Sequence, residues 1–422
     1  MPQEQLGQEG RGPGADAPGR EALEQESPGQ DGAGRTGPLA GVVVADLSRV
    51  LAGPYATMLL ADMGATVIKV ESPRGDDTRA WSPPERDGES TYFLAANRNK
   101  RSIALDFADP EDRRVLDAII ARADILVENF RPGTLARHGL DYATLADRHP
   151  GLVYTSITGF GTGAGAGLPG YDLLAQAASG FMSVTGEAEG EPMRAGVALF
   201  DVVTGLHAAV GTLAAYLESR ESGRGQHVEF DLLTSALSGL VNQASAFVAG
   251  GHVPHRMGND HPSLFPYGPF AARDGRLVIA VGNDAQFRRL CTVLGLDAVA
   301  GDERFATSHA RSVHREELRP LLAERLARRG AEEWFGALRA AQVPCAPILS
   351  IAGGVELAES LGLGPVVETG GAVPDDDGRR IPTIRNPATF SRTPVSHAGA
   401  PPRLDADRDA VLRWLGGDPL RA

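Results

Sequence analysis

Short apolar runs alternating with helical stretches are the feature that most restricts how this chain can fold. Gly41-Val-Val-Val-Ala45, Ala65-Thr-Val-Ile-Lys-Val70, Ser102 to Leu105, Asp124 to Val127 and Leu152 to Ile157 each read as a strand. Helical segments separate them: one from about Pro54 to near Gly64, one from Pro110 to Arg122, and short ones up to about Asp147. The runs are continuous rather than alternating, the pattern of strands buried on both faces, and intervening helices are what cover a parallel sheet. An open α/β domain of Rossmann type is predicted, a class that binds ligands beyond the carboxyl ends of its strands.

Beyond Asp201 the pattern changes. A long helix, Val202 to Glu218, leads through Gly223-Arg-Gly-Gln226 to a strand from His227 to Asp231 and a second long helix to about Gly250. Residues 264–340 read as a smaller α+β unit, with a turn at Asp274-Gly275, a strand Arg276 to Val281, and helices near 284–294, 314–329 and 331–342. The expected division is a large domain over 38–225 and, over 226–344, linker helices with the small domain. Residues 1–37 are rich in Gly, Pro, Glu and Gln and poor in large apolar side chains, so they read as a disordered tail.

A net charge of −13 argues against nucleic acid as a partner, because phosphate contacts need an excess of cations. No apolar run approaches the roughly 20 residues that span a bilayer, and the N-terminus lacks the pattern of a signal peptide, so no membrane is expected. The two cysteines, Cys291 and Cys345, lie far apart without metal-ligand spacing. They read as small core residues, with no metal site and a reducing, cytoplasmic location.

Three signals bear on chemistry. Gly165-Ala-Gly-Leu-Pro-Gly170 matches the dinucleotide fingerprint only formally: it trails its strand, Pro169 interrupts it, and the acidic candidates Glu187, Glu189 and Glu191 lie in a loop. The only lysines, Lys69 and Lys100, stand at early strands with Arg131 and Arg137 following the fourth, where cations could meet phosphates. Asp201, in Gly196-Val-Ala-Leu-Phe-Asp201-Val-Val-Thr-Gly205, stands immediately before the predicted helix, the position of an N-cap whose carboxylate the free amides would stabilise.

The segment from Asp46-Leu-Ser-Arg-Val-Leu-Ala-Gly-Pro54 to Val-Ile-Lys-Val-Glu71 resembles the opening of the class III CoA-transferase family. The resemblance continues through Asn97-Arg-Asn-Lys-Arg-Ser-Ile103, Val127-Glu-Asn-Phe-Arg-Pro-Gly133, Thr155-Ser-Ile-Thr-Gly-Phe-Gly161, Gly223-Arg-Gly-Gln226 and Gly258-Asn-Asp-His-Pro262, and runs from about Leu39 to the C-terminus. It implies that Asp201 is the nucleophile, and that Val50, Leu105, Asn129, Phe130 and Arg137, with Arg131 adjacent, contact coenzyme A. It also implies transfer through an aspartyl anhydride and an aspartyl-CoA thioester, with acyl-CoA and a small carboxylic acid as substrates and no permanently bound cofactor. An Asp201 of ordinary pKa would give a flat pH profile around neutrality.

In that family two chains interlock as rings, and residues 345–422 would complete the large domain. Gly75-Asp-Asp-Thr-Arg-Ala-Trp81 and Glu89-Ser-Thr-Tyr-Phe93 look closest to the succinyl-CoA-dependent dicarboxylate branch. The α-methylacyl-CoA racemases share the fold but need acid–base residues. They carry His-Asp where this chain has Tyr171-Asp172, and Glu near the position of Ala271. A non-catalytic CoA-binding protein is the alternative of a different kind.

Overall fold

The computed structural model describes residues 37–371 and 378–418. The tail expected over 1–37 lies outside the described residues, Gly37 apart. The chain lays down β1 (Val43–Asp46) and β2 (Thr66–Glu71), then a two-stranded ribbon of β3 (Glu85–Arg86) and β4 (Glu89–Ser90). It continues with β5 (Lys100–Ala104), β6 (Ile125–Glu128), β7 (Val153–Thr158) and β8 (His227–Asp231). Six of these form one sheet in the order β5-β2-β1-β6-β7-β8, with every neighbouring pair parallel. This is the α/β class with a parallel sheet read from the sequence. Strand β8, beyond the expected boundary at 225, is its sixth member.

Both faces of the sheet are covered, which is why its strands read as unbroken apolar runs. Ala45, Ile68, Ile103, Leu126 and Tyr154 share one core with Leu116, Ile119 and Ile120 of helix Pro110–Arg122. That helix starts where the sequence placed it, because Asp109 accepts the amides of Glu111 and Asp112 and Pro110 occupies the first turn. Val44, Val67, Ile125, Val127 and Val153 face the other way, against Leu60 and Ala61 of helix Ala52–Asp62 and Ala215 of helix Leu199–Ser222.

The chain begins mid-sheet at β1, builds outward to β5, then returns past β1 to build β6, β7 and β8. The reversal between β1 and β6 is a topological switch point, where an open α/β sheet leaves a crevice.

A smaller antiparallel sheet, ordered β11-β10-β9, consists of β9 (Tyr267–Ala271), β10 (Arg276–Ala280) and β11 (Cys345–Pro347). Phe270, Leu277 and Ile279 of this sheet pack with Phe287, Leu290, Leu318, Leu322, Trp334 and Leu338 of its helices. Cys291 is fully buried in this core and both cysteines are free.

After the hairpin of β12 (Val366–Thr369) and β13 (Ile381–Ile384), the C-terminal segment returns to β5. There the Asp407 and Asp405 carboxylates accept the amides of Ser102 (2.8 Å) and Ala104 (2.9 Å), which satisfies the donors of an edge strand.

Two expectations need correction. The single helix predicted after β8 is two, Leu232–Gly239 and Val241–Val248, because Val241 takes a positive φ of 36° that breaks the helical path. Among the described residues, helix Leu199–Ser222 is long and apolar enough to cross a membrane by length and composition, contrary to the reading that no such run exists. Part of the helix packs on helix Ala52–Asp62: a Cβ at Gly205 would lie 2.7 Å from the Ala52 carbonyl oxygen, so only glycine permits this approach.

The lysines do not meet phosphate. Lys69, on β2, and Lys100, the first residue of β5, are both buried. Lys100 Nζ donates to Asp46 Oδ2 (3.0 Å), the Pro54 carbonyl (2.9 Å) and Asn97 Oδ1 (2.9 Å). Lys69 Nζ donates to Asp76 Oδ2 and the Ser48 carbonyl, each at 3.0 Å. Arg101, which also matched a motif position, pairs with Asp407 at 2.9 Å.

Burial alone would raise the Asp46 carboxyl, but the ammonium groups of Lys100 and Lys69 outweigh it and hold it at about 2. Burial lowers Lys100 to about 8 against the pull of Asp46, so both partners stay charged at neutral pH. Replacing Lys100 with Met removes an ammonium group but leaves the Asp46 carboxylate in place. The Lys100→Met variant is expected to lose about 3–5 kcal/mol of unfolding free energy in urea titrations. An unchanged midpoint would contradict the pairing.

Candidate active site

Beyond β1 the chain turns through Leu47, Ser48, Arg49 and Val50, and beyond β6 it turns through Asn129, Phe130 and Arg131. Asn129 ties the two turns together: its Oδ1 accepts the Arg49 amide (2.8 Å) and its Nδ2 donates to the Arg49 carbonyl (2.7 Å). Glu128 Oε2 accepts the Phe130 amide at 2.8 Å, and the Arg49 guanidinium lies 4.9 Å from the centre of the Phe130 ring. Val50 has a φ of +68°, a conformation unusual for a β-branched residue and one that costs about 1–3 kcal/mol.

These turns line a cleft of about 170 Å³ at the switch point, closed on its other side by Thr158, Gly159, Gly170, Tyr171 and Asp201. A Cβ at Gly159 would fall 2.3 Å from Gly170 Cα, so the two segments meet only as glycines. The last glycine of the formal dinucleotide fingerprint is therefore a packing residue.

Asp201 is not the N-cap that the sequence suggested. Ala198 takes the N-cap position of helix Leu199–Ser222, and Asp201 is the helix's third residue, inside the first turn. The free amides there are already engaged: Asp172 Oδ1 accepts the N–H groups of Phe200 (2.7 Å) and Asp201 (3.1 Å). Gln176 Nε2 donates to Asp172 Oδ2 at 2.5 Å, and its Oε1 accepts the Ala195 amide at 2.8 Å. Asp172 and Gln176 thus anchor the helix start, and neither was identified in this role from sequence, since the contact spans almost thirty residues.

The Asp201 carboxyl is pushed up to about 7, chiefly by burial and then by the negative charge of Asp172. An ordinary carboxylate and a flat pH profile are accordingly replaced by a group that changes charge near neutrality. Tyr92 feels the same field: burial, then the charges of Asp201, Asp172 and Asp76, push its phenol up to about 12, so it keeps its O–H.

Of the residues expected at the site, Val50, Asn129, Phe130, Arg131 and Asp201 come together in this cleft. Leu105 does not line it; it is 1% exposed within the core of the large sheet. Arg137 lies outside the lining too, exposed on the short helix Leu135–His138, which is linked to Phe130 by ring contacts of Phe107 with Phe130 (6.3 Å) and with His138 (5.9 Å). Arg49 was missed, although it directly precedes Val50 in the opening motif. Among the described residues, no group of His, Cys, Asp and Glu converges as a metal would need.

Residues 39–408 match the model of CoA-transferase family III. The succinate–glutarate CoA-transferase of Agrobacterium fabrum is 43% identical over 392 residues, covering 90% of this chain and 96% of that protein. The succinyl-CoA:glutarate CoA-transferase of Mus musculus is 39% identical over 378 residues, covering 89% and 86%. Among solved structures, a CAIB/BAIF family protein from Brucella suis superimposes with a TM-score of 0.79 at 40% identity, covering 90% of this chain and all of that one.

The Asp201 carboxyl should titrate with a midpoint near pH 7 when followed by carboxyl-carbon NMR. Asp172→Asn keeps an acceptor for the two amides but removes the charge, so the midpoint should move downward. A wild-type midpoint near 4, or no movement in the variant, would contradict this electrostatic picture.

Proposed function

Since the chain belongs to CoA-transferase family III and is an enzyme of that class, we propose that it moves coenzyme A from succinyl-CoA to a second dicarboxylic acid. One observation carries the reading: Asp201 projects from a helix start into the switch-point cleft, where Arg49 and Arg131 supply positive charge.

In the proposed reaction, the ionised Asp201 attacks the thioester carbonyl of the donor and expels CoA thiolate, leaving a mixed anhydride. The thiolate then attacks the Asp201 carbonyl, which releases the donor acid as a carboxylate and leaves an aspartyl-CoA thioester. The acceptor carboxylate attacks that thioester, again expelling CoA thiolate, and a second anhydride forms. Attack of the thiolate on the acceptor-derived carbonyl yields the new acyl-CoA and regenerates Asp201. No net proton is consumed, because every nucleophile is an anion. A pKa of about 7 gives Asp201 more basicity than an exposed carboxylate while leaving about half of it ionised at neutral pH.

The family's coenzyme contacts support Val50, Asn129, Phe130 and Arg131 as the residues holding the CoA side, with Arg137 further out for its phosphates. Arg49 is the cation we assign to the remote carboxylate of the acid. Its ion-pair partner Asp77 is 4.0 Å away and highly exposed, a weak pairing that a substrate carboxylate can replace.

A racemase reading finds no support at the same positions. Tyr171, not an imidazole, lines the cleft, and Ala271 on β9 offers no carboxylate.

We further propose an interlocked homodimer acting in the cytoplasm. Leu206, Val210 and Leu217 of helix Leu199–Ser222, and Leu237, Val241, Phe247 and Val248 of the two following helices, are exposed. A second copy covering them would remove a large apolar surface from water. Two free cysteines suit a reducing compartment.

Asp201→Ala and Asp201→Asn should abolish transfer from succinyl-CoA while the protein stays folded. Wild-type protein incubated with succinyl-CoA and trapped with hydroxylamine should gain a hydroxamate at Asp201 by peptide mass spectrometry. Near-full transfer in Asp201→Ala, or labelling elsewhere, would overturn the mechanism. Arg49→Ala should raise KM for dicarboxylic acceptors by about tenfold or more while sparing monocarboxylic ones, since an ion pair to a bound carboxylate is lost. An equal effect on both acid classes would remove Arg49 from acid selection.

A further inference from the structure

The cleft wall contains a strained residue whose conformation is held from beneath by a charge pair. Val50 sits in the left-handed region at φ +68°, which glycine takes freely and a β-branched side chain resists. Its amide points to a buried carboxylate: Asp76 Oδ2 lies at 3.2 Å and Oδ1 at 3.4 Å. Asp76 is 1% exposed, and its carboxylate is itself oriented on three sides. Lys69 Nζ donates to Oδ2 at 3.0 Å, while the Thr78 amide (3.0 Å) and hydroxyl (2.8 Å) donate to Oδ1.

The same ammonium group reaches the other end of the turn. Lys69 Nζ donates to the Ser48 carbonyl at 3.0 Å, and the Ser48 amide and hydroxyl donate to Asp46 Oδ1 at 3.0 and 2.5 Å. The turn from Ser48 to Val50 is thus gripped at both ends by one buried ion pair, Lys69–Asp76, while its outer face lines the cleft. Neither residue touches the cleft. Such strain persists only where surrounding contacts over-determine it.

We infer that Lys69 and Asp76 are positioning residues, which set the backbone of the Ser48–Val50 turn and thereby the acyl-CoA side of the cleft. The clamp rests on the proposed function only for what the cleft binds. Lys69, read from sequence as a cation that could meet phosphate, therefore acts on the substrate at one remove, through the main chain of the turn.

The test separates positioning from mere stability. In Asp76→Asn the single remaining acceptor oxygen cannot serve Lys69, Thr78 and Val50 together. Hydrogen exchange of the peptide spanning 47–52 should then quicken at least about tenfold, with β1 and β6 unaffected, because a hydrogen bond to a charged group has been lost. KM for succinyl-CoA should rise by about the same factor while kcat changes little.

Val50→Gly relieves the strain that the clamp opposes. The rise in KM caused by Asp76→Asn should therefore shrink in the Val50→Gly background. An unchanged KM in folded Asp76→Asn, or an equal rise in both backgrounds, would overturn the inference.

If Asp76→Asn does not fold, Thr78→Val removes only the hydroxyl that steadies Oδ1. Faster exchange at 47–52 is expected there as well, and unchanged exchange would count against the clamp. A wild type without transfer activity would sink the proposed function, whereas the exchange measurement decides the clamp independently.

Discussion

Two buried ammonium groups, from Lys69 on β2 and Lys100 at the start of the adjacent parallel strand β5, are the constraint on which the rest depends. A lysine in this position is tolerated only when carboxylates and carbonyls surround it, and the chain supplies Asp46, Asp76 and the carbonyls of Ser48 and Pro54. These partners do not merely neutralise charge. Ser48 and Pro54 flank the turn after β1 that forms one wall of the cleft, and the start of the helix that follows it. A network that would be indifferent in a core of hydrocarbon becomes a device for shaping backbone, because each hydrogen bond has a direction.

The network extends outward through Glu71. This carboxylate accepts two bonds from Arg79 (2.9 and 2.7 Å), the Ser102 hydroxyl (2.7 Å) and the Asp76 amide (2.9 Å). Arg79 continues to Glu89 at 2.6 Å and to the Pro402 carbonyl, while its guanidinium stacks 3.7 Å from the Phe93 ring centre. The returning C-terminal segment is thereby attached to the same charge system that positions the cleft. Contacts more than three hundred residues apart in sequence close the edge of the sheet and brace the site together.

On the opposite wall the logic is reversed. Around Asp46 nearby cations hold a carboxyl low, whereas burial and then the neighbouring Asp172 carboxylate push that of Asp201 up. Asp172 uses its charge twice, accepting the two amides that open the helix and discouraging ionisation of Asp201. Asp46 and Asp201 are thus two buried aspartates with opposite environments, one held charged and the other placed to change charge near neutrality.

The continuous apolar runs were sufficient to identify the parallel sheet, and Asp109-Pro110 marked a helix start, because strand burial and capping are written in adjacent residues. The opening motif likewise pointed to Val50, and the helix start near 200 to Asp201. What the sequence could not disclose was which charges face water. Lys69 and Lys100 look like phosphate ligands in a linear reading, and only the packing of β1, β2 and β5 turns them inward. Leu105 and Arg137 show the same limit: each follows its motif, yet one is enclosed in the core and the other stands outside the cleft. Asp201 stood out in the sequence, but its raised pKa comes first from burial and then from the charge of Asp172, twenty-nine positions away. Covalent order specifies residue type and local periodicity; burial and the distance between charges, which govern the chemistry of this site, exist only once the chain has folded.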